Sequence, residues 1–228
     1  MKKLSLFFAA IFMMGSISLM AQKPFAGTIK TKIDVAGTTD GNITSQFPIE
    51  QKTTVLGNKT KTVMEQGIGI IMIEDNDQGT RTTILDFAPM GMGCYYRTDT
   101  VKAPTMLKYD YVTDKNDTKE IAGYKSYKVT CTITNLEDDE TTVVILYVSD
   151  DFLPGYKSSQ TPGLVGYPMS TIQHVDNEEG GYDMISEVIE ITPNKKIKSV
   201  DFLLPEKAVP LADAPANIKQ MLGLGGGE

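Results

Sequence analysis

The stretch Lys128–Val148, KVTCTITNLEDDETTVVILYV, decides the fold class. Val129, Cys131 and Ile133 alternate with Lys128, Thr130, Thr132 and Thr134, the two-residue period of a strand with one buried face. Asn135-Leu136-Glu137-Asp138-Asp139 follows, a cluster of turn-forming residues. Beyond it Thr141–Val148 is strand-like again, but Val143 to Val148 is an unbroken apolar run. The unit reads as a β-hairpin whose second strand needs cover on both faces.

The same rhythm extends in both directions. Phe25, Ile29, Ile33 and Val35 alternate with Thr28, Lys30, Lys32 and Asp34, and Leu107, Tyr109 and Tyr111 alternate with Lys108 and Asp110. Leu56-Gly57-Asn58-Lys59 reverses the chain after Thr53–Val55, and Glu74–Gly79 separates Ile68–Ile73 from Thr82–Phe87. Glu178-Glu179-Gly180-Gly181 marks a further turn after the strand Met169–Val175. Short strands joined by hairpins predict a mainly β fold with one strongly curved antiparallel sheet, a half-barrel of 9–11 strands over residues 22–210. Ile68–Ile73 is apolar on both faces, like Val143–Val148, so loops or helices must pack into the concave side. A short helix is expected over Ala212–Leu222, with Asp213 as N-cap, preceded by a proline-rich linker from Pro205 to Pro215. Residues 211–228 thus comprise that helix and a flexible glycine-rich tail.

Residues 1–21 read as a secretory signal. Lys2 and Lys3 form a positive start, Leu4–Met14 an apolar core too short to span a bilayer, and Ala21 a small cleavage residue. The expected product is exported, periplasmic or extracellular, and without a transmembrane segment. Formal net charge is −7, and −7 − 2 = −9 once Lys2 and Lys3 are removed. That charge disfavours phosphate backbones, so nucleic acid is not an expected partner. Lys195-Lys196-Ile197-Lys198 reads as a solvated turn.

With one histidine, two cysteines and no tryptophan, multi-histidine metal centres and cysteine-rich zinc modules are excluded. No metal and no cofactor are expected. Cys94 and Cys131 are either a structural disulfide or two buried free thiols, since no C-x-x-C spacing supports redox work. His174, with Asp176 two residues on, lacks a G-x-S-x-G partner, so no catalytic residue is assigned. Asp75-Asn76-Asp77-Gln78-Gly79 faintly resembles a calcium loop, but its glycine is fifth and its flanks are strands, so it reads as a hairpin tip. Asp99-Thr100-Val101 has the form of a short O-glycosylation site at Thr100, with an ordinary loop as the competing reading.

Residues 152–168 form an irregular stretch with three prolines and three glycines, interleaved with large apolar side chains. Phe152, Leu153, Tyr156, Leu164 and Tyr167 are expected to face inward as a lid over an apolar ligand.

Glu120-Ile121-Ala122-Gly123-Tyr124-Lys125, followed by Lys128-Val129, resembles a segment of the exported bacterial domain of unknown function numbered 4412. Gly27-Thr28-Ile29, Gly57-Asn58-Lys59, Ile84-Leu85-Asp86 and Phe202-Leu203-Leu204-Pro205 extend the likeness over residues 25–205. Such domains look like the outer-membrane lipoprotein carriers, which are antiparallel half-barrels around a hydrophobic cavity. The chain departs from them at Ser126, where a cysteine is frequent, and near Tyr147, where a tryptophan is. The resemblance implies a fold and a role with apolar ligands, and it brings no catalytic residues. The function expected is a non-enzymatic binder or carrier of an apolar ligand, a lipid or a lipoprotein acyl chain. The alternatives are a structural or protein-interaction module of the cell envelope with a filled core and, last, an unrecognised hydrolase. Oligomeric state is open. The leader makes a direct prediction: protein recovered from an export-competent host begins at Gln22, as N-terminal sequencing will read, and an intact Met1 contradicts it.

Overall fold

The computed structural model describes residues 24–66, 68–101, 105–154, 156, 161–176 and 181–222. The expected leader, the tail from residue 223 and the turn residues Glu178, Glu179 and Gly180 lie outside them. The first strands are β1 (Ala26–Ala36), β2 (Ile49–Leu56), β3 (Lys59–Gln66), β4 (Ile68–Asp75), β5 (Thr80–Asp86) and β6 (Cys94–Thr100). The rest are β7 (Leu107–Ile121), β8 (Tyr124–Asn135), β9 (Thr141–Ser149), β10 (Tyr167–Val175), β11 (Tyr182–Pro193) and β12 (Ala208–Pro210). Two short helices, α1 (Gly41–Thr44) and α2 (Ala216–Met221), complete the pattern. The fold is mainly β. All twelve strands belong to one sheet in the order β12-β6-β5-β4-β3-β2-β1-β11-β10-β9-β8-β7.

The hairpins form where the turn residues sit. Gly57 takes φ +59° as the first residue of the two-residue β2–β3 turn. Ala122 and Gly123 both take positive φ, +48° and +83°, in the two-residue β7–β8 turn. Asp75 closes the β4–β5 tip by accepting backbone N–H bonds from Asp77 and Gln78.

The sheet is open but strongly curled. Thr60 and Met72 (β3, β4) line the same cavity as Thr171 and Gln173 (β10). In a flat sheet β4 and β10 would lie five strand spacings apart, roughly 24 Å. β7 likewise touches β11, although β8, β9 and β10 intervene in the sheet. Register irregularities at Lys30/Thr31, Asp114/Thr118 and Pro168/Ser170 supply local bends.

Register assigns the two faces. Ile29, Thr31 and Ile33 pair with Thr53, Gln51 and Ile49, and on the other flank Thr31 and Ile33 pair with Val188 and Ser186. Continuing outward, this inner face carries Thr62, Met72, Leu85 and Tyr95 on one side and Thr171, Leu146 and Val129 on the other. Lys30, Lys52, Lys61 and Ile84 lie on the outer face.

The doubly apolar strands do receive cover on both sides, in part. On β9, Val144, Leu146 and Val148 are buried on the inner face and Tyr147 on the outer, beneath the Lys119 ammonium 4.1 Å from its ring centre. Every residue of β4 is only half-buried. Ile68 packs against the cluster of Phe87, Tyr95 and Ile218, while Met72 lines an inner-face cavity. From β11 to β12 the chain must pass from mid-sheet to the far edge. Val200 and Leu203 line an outer-face groove with Val63 and Lys61 and stay largely exposed, and Lys61 Nζ donates to the Asp201 carbonyl at 3.1 Å. The chain then pairs in parallel with β6, and Ala214 and Ile218 bury themselves against Phe87, Tyr95 and Leu85 of the inner face.

Three expectations change here. The sheet has twelve strands rather than 9–11, because β12 forms inside the stretch read as linker, using the free edge of β6. The C-terminal helix is shorter than Ala212–Leu222, and Asp213 does not cap it. Leu211–Asp213 is a separate 3-10 turn, and Pro215 pushes Ala214 into an extended conformation, φ −65° and ψ 147°, so α2 starts at Ala216. Cys94 and Cys131 are free and buried, on β6 and β8 in opposite halves of the sheet. The disulfide alternative is therefore set aside.

At Gly166, φ is +89° and a Cβ would come 2.6 Å from Val148 Cγ1 and 2.9 Å from the Ser149 carbonyl. At Gly91, φ is +73° with nothing within 4 Å. Gly166→Ala is expected to cost roughly 2–5 kcal/mol, left-handed strain plus overpacking. Gly91→Ala should cost only about 1–2 kcal/mol. Denaturant melts of both variants check the difference.

Candidate ligand-binding cleft

Curling brings the inner positions of distant strands to one cleft. Two contiguous cavities, about 340 and 350 Å³, share Gln51, Thr53, Thr171, Gln173 and Ser186 as a common floor. Tyr156 and Tyr167 line both. The first extends over β3 and β4 to Thr60, Thr62, Met72 and Glu74. The second extends over β8 and β9 to Cys131, Ile133, Val144 and Leu146. Each lies at the lower end of the volume range of small-molecule sites.

Tyr156 and Tyr167 of the irregular segment line this cleft, and the segment's five singled-out residues divide into two groups. Phe152 is 2% exposed and is core. Its ring meets Phe25 at 5.2 Å, Tyr124 at 4.9 Å and Tyr167 at 5.1 Å between centroids. Leu153, at φ +50°, packs against the same cluster, while Leu164 packs against Val129, Leu146 and Val148. Tyr167 joins the Phe152 cluster and also lines the cleft; Tyr156 stacks edge-on against it at 4.9 Å. A third, wider cavity of about 780 Å³ opens beyond Tyr156 between Phe25, Leu56, Tyr124 and Leu153. Gly155 and residues 157–160 of the expected lid lie outside the described residues.

Hydrogen bonds tie the segment down on both sides. Tyr127 donates to Asp150 Oδ1 at 2.6 Å, and Tyr111 donates to the Pro162 carbonyl at 3.1 Å. Burial, then the bond to Asp150, pushes the Tyr127 phenol up to about 12. Burial raises Tyr111 and Tyr167 as well. All three phenols therefore stay neutral donors or apolar rings at physiological pH.

The lining is more polar than an apolar pocket would be. Threonines occupy the inner positions of β1–β3 because both faces of those strands carry polar residues: Thr53 and Thr62 inside, Lys52 and Lys61 outside. The alternation alone could not say which face would be enclosed. Thr53 and Thr62 bond each other at 2.9 Å. Glu74 lines the cleft but is held by Arg81 at 2.6 Å.

The other singled-out groups lie elsewhere. His174 sits on the outer face, as its partner Asp183 shows by register; its Nδ1 is 2.8 Å from Asp183 Oδ1 and its Nε2 3.6 Å from Asp176. The Asp75 carboxylate is held below its ordinary range by Lys59, 2.7 Å away, and serves the hairpin tip. Thr100 is exposed at the end of β6. No group of three or more His, Cys, Asp or Glu among the described residues could hold a metal. No helix among them is long and apolar enough to cross a membrane.

No protein-family model matches the chain, and no curated protein matches it. The resemblance to the domain of unknown function 4412 is thus not confirmed. Among solved structures, the chain is similar to a DUF1329 family protein from Desulfovibrio piger at 8% identity, covering 80% of this chain and 91% of that one. The TM-score is 0.25, a likeness too slight to carry fold or function across.

Burial raises both cysteine thiols above their ordinary value, so little reactive thiolate is present near neutral pH. A thiol reagent should react sluggishly with native protein and count two thiols in denaturant without reductant. A count of zero in denaturant would restore the disulfide.

Proposed function

We propose that this protein is a non-enzymatic binder of a ligand with a substantial apolar part, held in the inner-face cleft. The observation that carries the reading is the enclosed space where β2–β4 face β8–β11, with Tyr156 and Tyr167 laid across it. A sheet curled only to bury its own core would close that space with side chains. The reading includes an exported carrier of a lipid or acyl chain in the cell envelope, in keeping with the leader-like residues 1–21 and the resemblance to the 4412 domains. The second reading, an envelope interaction module with a filled core, draws support from the aromatic cluster around Phe152, in which Ile29, Val55 and Met169 are fully buried.

The readings part at Tyr156. It is half-buried, outside the fully buried cluster, and lines all three cavities of this end of the sheet. The native protein should take up an environment-sensitive apolar dye. Tyr156→Ser should weaken dye binding roughly tenfold while lowering stability by only about 1 kcal/mol. Phe152→Ala should instead lose roughly 3–5 kcal/mol of stability. Fluorescence titration and thermal melts of the same samples decide it. No uptake by native protein, or uptake unchanged in Tyr156→Ser, favours the filled-core module.

A further inference from the structure

We infer that the cleft selects a neutral amphiphile, with an uncharged hydrogen-bonding head toward β2–β4 and an apolar chain toward β8–β9. This rests on the binding reading above and names its ligand class. The two cavities differ in chemistry although they share a floor. Beyond the shared floor, which carries Gln51 and Gln173, the first is walled by Thr60, Thr62 and Glu74 together with Val55 and Met72. Beyond that floor the second is walled mainly by Ile133, Val144, Leu146, Met169 and Val188, with Thr161 and Ser170 as its polar groups.

A ligand without polar atoms would displace water from the first wall and the floor and leave their hydroxyl and amide groups unpaired, which costs more than their contacts return. Those groups have capacity to offer. Thr53 and Thr62 share one hydrogen bond, so one of their two hydroxyl protons is left to donate, and lone pairs remain to accept. Gln51 directs its amide nitrogen at the Met64 sulfur at 3.2 Å, a weak acceptor that a ligand oxygen would outcompete. On the apolar side, Thr161 lines the second cavity, and its buried hydroxyl has no hydrogen-bond partner among the described residues. An ester or ether oxygen of the ligand is the acceptor that hydroxyl would take.

Charge narrows the class. Neither cavity is lined by a lysine or arginine among the described residues. The one carboxylate, Glu74, is paired with Arg81. A phosphate or carboxylate head would find no cation in the cleft and would face an acidic protein. A cationic head would have to break the Glu74–Arg81 pair. A glyceride-like head of hydroxyls and an ester fits all of these groups.

The test is competition against the bound dye, all competitors below their micelle concentrations. The competitors are a long-chain 1-monoacylglycerol, the methyl ester of the same acyl chain, and the fatty acid of that chain in its ionised form. The monoacylglycerol should displace dye at roughly tenfold lower concentration than either of the others. In Gln51→Leu with Gln173→Leu, its advantage over the methyl ester should fall to within about threefold. Thr62→Val, which keeps the side-chain shape, should lower the advantage in the same direction if the double variant does not fold. Equal competition by the methyl ester or the ionised fatty acid in the native protein overturns the inference and leaves the binding reading standing. Absence of dye uptake removes both.

Discussion

The structure turns on the insertion of Phe152 into the end of the curled sheet. Its ring contacts Phe25 before β1, Tyr124 at the start of β8 and Tyr167 at the start of β10. One strand separates β1 from β10 in the sheet order and one separates β10 from β8, so the ring ties alternate strands together at one end of the twisted sheet. Burying such a ring removes a large apolar surface from water and adds edge-on aromatic contacts. Leu153, held at φ +50°, lets the chain turn back immediately after the ring is seated. Tyr156 and Tyr167 are thereby placed over the inner face rather than in solvent.

The C-terminal segment solves the complementary problem at the opposite side. An open sheet has two edges, and each invites pairing with another chain. The β6 edge is occupied by β12. The segment reaches it over the outer face and then turns inward, so that Ala214 and Ile218 cover Leu85 and Tyr95. The β7 edge is protected differently. Lys108, Asp110, Asp114, Lys115, Lys119 and Glu120 crowd it with charge, and a register irregularity between Asp114 and Thr118 breaks its line. What is left uncovered lies between these two devices, along β1–β4 and β8–β11, and that is where the cleft is.

Hairpins were legible in the sequence because their chemistry is local. Gly57-Asn58 and Asn76–Gly79 favour turn conformations and form turns in the structure, whereas the Ala122-Gly123 turn was not read from the sequence. The doubly apolar runs were legible for a different reason, since Val143–Val148 offers no face to water. Candidate residues were partly legible. Large apolar groups in an irregular stretch marked Phe152 to Tyr167, but nothing in the stretch separated core-forming Phe152 from cleft-lining Tyr156. Gln51, Thr53, Thr62 and Gln173 passed unnoticed, because an alternating strand that is polar on both faces does not declare which face will be enclosed.

The sequence by itself determined a β-rich chain, its hairpin rhythm, its acidity and the positions of its turns, all of which depend on residues within a few positions of one another. The tertiary structure alone decided the closing features. β12 exists only because β6 offers a free edge, and α2 begins late because Pro215 dictates the conformation of the residue before it. Cys94 and Cys131 remain apart because strand order sends them to opposite halves of the sheet. The polar wall of the cleft likewise arises from curvature, which joins strands that are distant along both the chain and the sheet. Long-range register and curl are summed over twelve strands, and no short window of sequence encodes that sum.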